Sequence, residues 1–99
     1  MRLNQRQRQA IERVFEMVFR HGEVTLFGSR VDDQKKGGDI DLFIQPSEPM
    51  SDLFVRKIQF LSALKKAIGE QKIDLVLSPF ASEDLKREIQ KTGVLLCRM

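Results

Sequence analysis

Three aspartates carry the first chemical signal in this chain. Asp39 and Asp41 open the alternating segment Asp39 to Gln45, and Asp74 interrupts the apolar run Ile73-Asp74-Leu75-Val76-Leu77. Side chains alternate faces along a strand, so Asp39 and Asp41 point the same way, about 6.6 Å apart along it. Ile40, Leu42 and Ile44 then share the other face and can enter a core. Asp74 likewise lies opposite Ile73, Leu75 and Leu77, in an element where aspartate is disfavoured. If the two strands are neighbours, three carboxylates project from one face of a sheet. Such groups repel and raise one another's pKa values. A hard divalent cation relieves the conflict, because Mg²⁺ prefers oxygen ligands and commonly takes one or two carboxylates plus substrate phosphates. Two such ions about 3.5–4 Å apart would clamp the attacking and leaving oxygens of an in-line phosphoryl displacement.

Gly28-Ser29 supplies the other half of that chemistry. It follows the short apolar segment Glu23 to Phe27. Gly28 lets a phosphate approach the backbone, and Ser29 offers it a hydroxyl and an amide. A helical turn starting there would add free N–H groups for an anion. Arg30, and more loosely Lys35 and Lys36, are placed to neutralise triphosphate charge. Each part alone has a plainer reading: a strand-end cap for Asp-x-Asp, a simple turn for Gly-Ser, solvated loop charges for the cations. The combination in this order is what points to phosphoryl transfer.

The elements that must position these residues follow from periodicity. Asn4 to Arg20 reads as an amphipathic helix with Ile11, Val14, Phe15 and Val18 on one face and Asn4 as N-cap. His21-Gly22 is expected to end it, with the imidazole near the last carbonyls. Glu23 to Phe27 is a strand, Val31 to Gly38 a polar loop, and Asp39 to Gln45 a second strand stopped by Pro46. Ser51 or Asp52 should cap a long helix to Ile68, with Leu53, Phe54, Ile58, Leu61, Leu64 and Ile68 as its inner face. Lys72 to Leu77 is a third strand. Ser82 caps a short helix carrying Leu85 and Ile89, and Val94 to Cys97 forms the last strand. The order α-β-β-α-β-α-β implies an α/β (α+β) fold, a mixed sheet of about four strands with helices mainly on one face. Its open face is where the carboxylates belong.

Composition sets the bounds. At 99 residues, 41% hydrophobic and 31% charged, the chain (residues 1–99) has room for one domain but not for an added substrate domain. Seven Phe with no Trp or Tyr are expected mainly in the core. Cys97 is the single cysteine, which excludes an intrachain disulfide and a Cys/His zinc cluster. It reads as a small core or edge residue. No signal core and no membrane-length apolar run is seen, so the expected location is cytoplasmic. Arg2, Arg6, Arg8, Arg13 and Arg20 make the first helix basic. A solvated face is the plainer account, and direct nucleic-acid binding is the least favoured function.

The run Phe27-Gly28-Ser29-Arg30, then Asp39-Ile40-Asp41-Leu42, then an aspartate on a later strand, resembles the DNA polymerase β nucleotidyltransferase superfamily. It is most similar to the minimal nucleotidyltransferase (MNT) branch, over nearly the entire chain. The resemblance implies transfer of a nucleoside monophosphate, most often AMP from ATP or another NTP, to an acceptor hydroxyl with two Mg²⁺ ions. Asp39 and Asp41 would hold both ions. Asp74 would complete the site that activates the hydroxyl, and Gly28 and Ser29 would hold the triphosphate. It also implies a helical HEPN-domain partner and an antitoxin role, exerted either by modifying that partner or, without catalysis, by contact. Val31-Asp32-Asp33 departs from the small residue, second Arg and Gly of many relatives. Two acids beside a triphosphate must point away from it.

Overall fold

The computed structural model describes residues 1–99. Helix α1 spans Gln5–Val18. Asn4 accepts from the Gln7 amide at 2.7 Å while the Gln7 side chain accepts from the Asn4 amide at 3.1 Å, a reciprocal cap that satisfies donors left free at a helix start. Ala10, Ile11, Val14, Phe15 and Val18 are buried. The helix does not end on Gly22. Arg20 takes the left-handed conformation at φ 70°, and Gly22 already belongs to the next strand. The His21 side chain is exposed, and its backbone, not its imidazole, makes the local hydrogen bonds.

Strands β1 (Gly22–Phe27), β2 (Ile40–Pro46), β3 (Ile73–Leu77) and β4 (Val94–Arg98) form one sheet in the order β3-β2-β1-β4. β1 runs antiparallel to β2 and β4, whereas β2 and β3 are parallel. The parallel pair is joined by α2 (Leu53–Ile68), as a crossover requires. Val24, Leu26, Ile40, Leu42, Ile44, Ile73, Leu75 and Leu77 face α1 and α2 in one buried core. Burying each such aliphatic side chain contributes about 1.5–3 kcal/mol. Phe19 links the two helices, its ring centroid 5.8 Å from Phe15 and 6.0 Å from Phe60.

The third helix, α3 (Glu83–Thr92), is capped by Ser82, whose hydroxyl accepts from the Leu85 amide at 3.1 Å. It packs on the opposite side of the sheet, where Ile89 and Phe43 are buried outside the main core. The second face is therefore only partly covered, by α3 beside Thr25, Phe43 and Gly93.

Two expectations about α2 need correction. Its buried residues are Leu53, Phe60 and Leu64, with Leu61 and Ile68 partly buried against the core as expected, while Phe54 and Ile58 are 71% and 53% exposed. Apolar residues occupy two sides of this helix, so periodicity placed the core stripe between them. Asp52 does stand at the N-cap, but its side chain makes no capping bond; it accepts from Arg56 Nε at 2.8 Å instead. The phenylalanines divide accordingly: Phe15, Phe19, Phe43 and Phe60 are fully buried, whereas Phe54 and Phe80 are not.

Candidate metal and nucleotide site

The sheet register brings the aspartates together. Asp41 pairs directly with Asp74 across the parallel β2–β3 ladder and with Phe27 across the antiparallel β1–β2 ladder. Asp39 precedes β2 by one residue and, two positions before Asp41, returns to the same face. One carboxylate oxygen from each of Asp39, Asp41 and Asp74 lies within 4.8 Å of the others. Asp39 and Asp41 are half-buried and Asp74 is exposed.

This proximity has an electrostatic consequence. The Asp41 carboxyl is pushed above the usual carboxylate range, first by burial, then by the negative charges of Asp74 and Asp39 and a hydrogen bond with Asp74. Lys72 opposes the rise and stands 3.6 Å from Asp39 Oδ2. A cation among these oxygens relieves the same repulsion, so an all-oxygen set of this kind fits a hard divalent ion.

Gly28 begins a single 3-10 turn, Gly28–Val31, directly after β1. Its φ is 78°, and a Cβ there would lie 2.2 Å from Asp41 Oδ2. Only glycine lets the turn close against that carboxylate. Gly38, at the far end of the loop, has φ 89° and would place a Cβ 2.1 Å from Ser29 Oγ, so the loop folds back over Ser29. The sequence-predicted Gly28, Ser29, Asp39, Asp41 and Asp74 thus share one edge of the open face.

Arg30 is placed differently from an open triphosphate clamp. Its Nε donates to the Gly38 carbonyl at 3.3 Å, Nη1 to the Arg2 carbonyl at 3.1 Å and Nη2 to Gln71 Oε1 at 3.3 Å. Two of its five N–H groups remain for an incoming anion. Lys35 lines an open cleft of about 360 Å³ beside Gly28, walled by Phe27, Val31 and α3. Lys36 is exposed on the loop. Of the acids after Val31, Asp32 accepts from the Gln34 amide at 2.9 Å and lines the same cleft, and Asp33 pairs with the Met1 amino group.

Sequence reasoning missed Arg2, Gln71 and Lys72. Arg2 Nη2 donates to the Ser29 carbonyl and Nε to the Asp32 carbonyl, both at 3.0 Å, so it fastens the turn from across the chain. Residues so distant in sequence leave no spacing signal. Cys97 is half-buried, and burial pushes its thiol up, the wrong direction for a nucleophile.

Among curated proteins, none matches this chain. Solved structures do. A chain from an MntA toxin–antitoxin complex, solved as a double aspartate-to-glutamate mutant, is 19% identical with a TM-score of 0.75, covering 98% of this chain and 75% of that one. A Shewanella oneidensis complex of a tri-AMPylated HEPN toxin with an MNT antitoxin gives 19% identity and a TM-score of 0.73, over 98% and 74%. A toxin–antitoxin structure with AMP-PNP gives 19% and 0.75, over 93% and 73%. At such identity the shared property is the fold. The sequence profile of polymerase beta, nucleotidyltransferase, matches residues 9–99, and the chain belongs to that family.

Proposed function

We propose that this protein is a metal-dependent nucleotidyltransferase that moves AMP from ATP to a hydroxyl of a HEPN-type toxin partner, acting as its cytoplasmic antitoxin. The observation that carries the reading is the Asp41–Asp74 pairing across the β2–β3 ladder, with Asp39 beside it. Family membership and the likeness to MNT antitoxins bound to HEPN toxins support it. Asp39, Asp41 and Asp74 would hold two Mg²⁺ ions. When bound, such ions would supply charge neutralisation and polarise phosphoryl and hydroxyl oxygens.

The chain's own residues do the rest. The Gly28 turn brings backbone N–H groups and the Ser29 hydroxyl to the phosphates beside Asp41. Arg30 holds that turn to Gly38 and Gln71 and offers its remaining N–H groups. Asp74, exposed at the edge strand, is reached by an acceptor hydroxyl and takes its proton as the new phosphoester bond forms; pyrophosphate leaves. Asp33 is turned to the amino terminus, whereas Asp32 lines the cleft beside Gly28 together with Lys35, whose ammonium offsets its charge there.

A second reading is an antitoxin that acts by contact alone. The three bonds that tie Arg30 to its own chain favour it. Calorimetry with Mg²⁺ and a non-hydrolysable ATP analogue separates the two. The enzymatic reading expects Mg²⁺-dependent binding that Asp39→Asn removes while the circular dichroism spectrum is kept. Absence of binding at millimolar analogue leaves the contact-only reading.

A further inference from the structure

We propose that Arg2 is a positioning residue for the triphosphate, holding the Gly28–Val31 turn in the shape that aims its amide groups at the phosphates. The inference deepens the proposed function and rests on it in taking Gly28 and Ser29 as the phosphate-binding residues.

The turn needs support from outside. It is a single 3-10 turn of four residues, set between a strand and a polar loop. Hydrogen bonds of the 3-10 type have poorer geometry than those of an α-helix. Gly28 begins the turn, and Gly37 and Gly38 close the loop at its far end, all three at positive φ. Glycine has the most conformational freedom to lose. Such a segment opens locally unless contacts from elsewhere select one shape.

Arg2 makes those contacts. Its amide donates to the Arg30 carbonyl at 2.7 Å, and Arg30 Nη1 donates back to the Arg2 carbonyl at 3.1 Å. Its guanidinium spans the turn, with Nη2 donating to the Ser29 carbonyl and Nε to the Asp32 carbonyl, both at 3.0 Å. The carbonyls of Ser29, Arg30 and Asp32 are thus gathered on the Arg2 side. In a trans peptide the N–H points opposite to the C=O. The Arg30, Val31 and Asp33 amides, which share those peptide planes, are therefore turned away from Arg2. Amides turned to a common side form the concave nests that bind anions.

The residue type matters. A guanidinium is a planar fork whose donors keep fixed directions, so it can bridge two carbonyls, whereas an ammonium acts as a point charge. Arg2 is itself held in place: Met1 and Leu3 on either side pack against the core, and Asn4 caps α1.

The test is calorimetry of the full chain with Mg²⁺ and a non-hydrolysable ATP analogue, well below the melting temperature. If the competent shape of the turn falls to about a tenth of the population, Arg2→Met weakens analogue binding by about 10-fold. Binding of Mg²⁺ alone should be unchanged, because the Arg2 guanidinium bonds to the loop and not to the aspartates. Arg6→Met removes the same charge nearby, where Arg6 donates to the Ala67 carbonyl, and should leave analogue binding as it was. Arg2→Lys keeps the charge without the fork and should recover only a minor part of the loss. Amide hydrogen exchange should show lost protection at residues 29–33 in Arg2→Met, with β1 and β2 protected as in the parent.

Unchanged analogue affinity in Arg2→Met overturns the proposal. Full rescue by Arg2→Lys, or an equal loss in Arg6→Met, also overturns it by reducing the effect to charge. An equal fall in binding of Mg²⁺ alone reduces Arg2 to a structural residue. Absence of analogue binding in the parent chain overturns this inference and the enzymatic reading together. Arg2-dependent binding without transfer to a partner hydroxyl removes the enzymatic reading alone and leaves Arg2 in its role.

Discussion

Helices α1 and α2 cover the same face of the sheet, yet they differ in what their sequences encode. In α1 the apolar residues form one stripe, buried except for Met17 at its margin, and the cap closes reciprocally between Asn4 and Gln7. In α2 the apolar residues form two stripes, one under the helix and one left outside, and Asp52 at the N-cap is diverted to Arg56. A helix with a single stripe is accounted for by folding. A second stripe is not, and it sits on the flank turned away from α1.

The comparison can be broken at several points. The largest effect is expected at Phe15 or Phe60, whose rings join the helices through Phe19. Either change to Ala should destabilise the fold by about 3–5 kcal/mol in urea denaturation. A small loss at Phe60 would mean that α2 packs loosely, and the distinction between its two sides would dissolve. Next, Asn4→Ala should lose about 1 kcal/mol through the α1 cap. Asp52→Ala should lose less, since its carboxylate caps no backbone amide. Equal losses would remove the contrast between the caps. Phe54→Ser should change stability by no more than about 0.5 kcal/mol, because nothing is packed against most of that ring.

The acid face adds a pH prediction. Asp41 binds its proton more tightly folded than unfolded. The folded state therefore holds more protons between the unfolded and the raised pKa, and stability falls as pH rises through that window. Thermal melts of metal-free protein at stepped pH should show this loss, and Asp41→Asn should abolish its Asp41 component. Mg²⁺ should restore melting temperature in the parent chain above that window, and less in the variant. A melt that rises across the window, with the same slope in Asp41→Asn, would contradict the sign.

The sequence made α1, the strands and the acid triad legible because each has one dominant period. Alternation placed Asp39, Asp41 and Asp74 on the sides the structure gives them, and the ladder register then made them neighbours. The two-sided apolar pattern of α2 defeated the same reasoning, so Phe54 and Ile58 were expected inside and Phe60 went unread. The left-handed turn at Arg20 was likewise hidden, because a non-glycine residue there is uncommon. Arg2, Gln71 and Lys72 reach the site through tertiary contacts from distant segments. No local pattern announces such contacts.

The central claim is that the three aspartates form one metal-dependent transfer site. Its most direct measurement is intact-mass analysis of both chains after incubation of this protein, Mg²⁺, ATP and its HEPN-type partner. The account predicts a gain of one or more AMP units on the partner, lost when Mg²⁺ is chelated and lost in Asp41→Asn and Asp74→Asn variants that keep the fold. AMP addition that persists undiminished in both variants would contradict it.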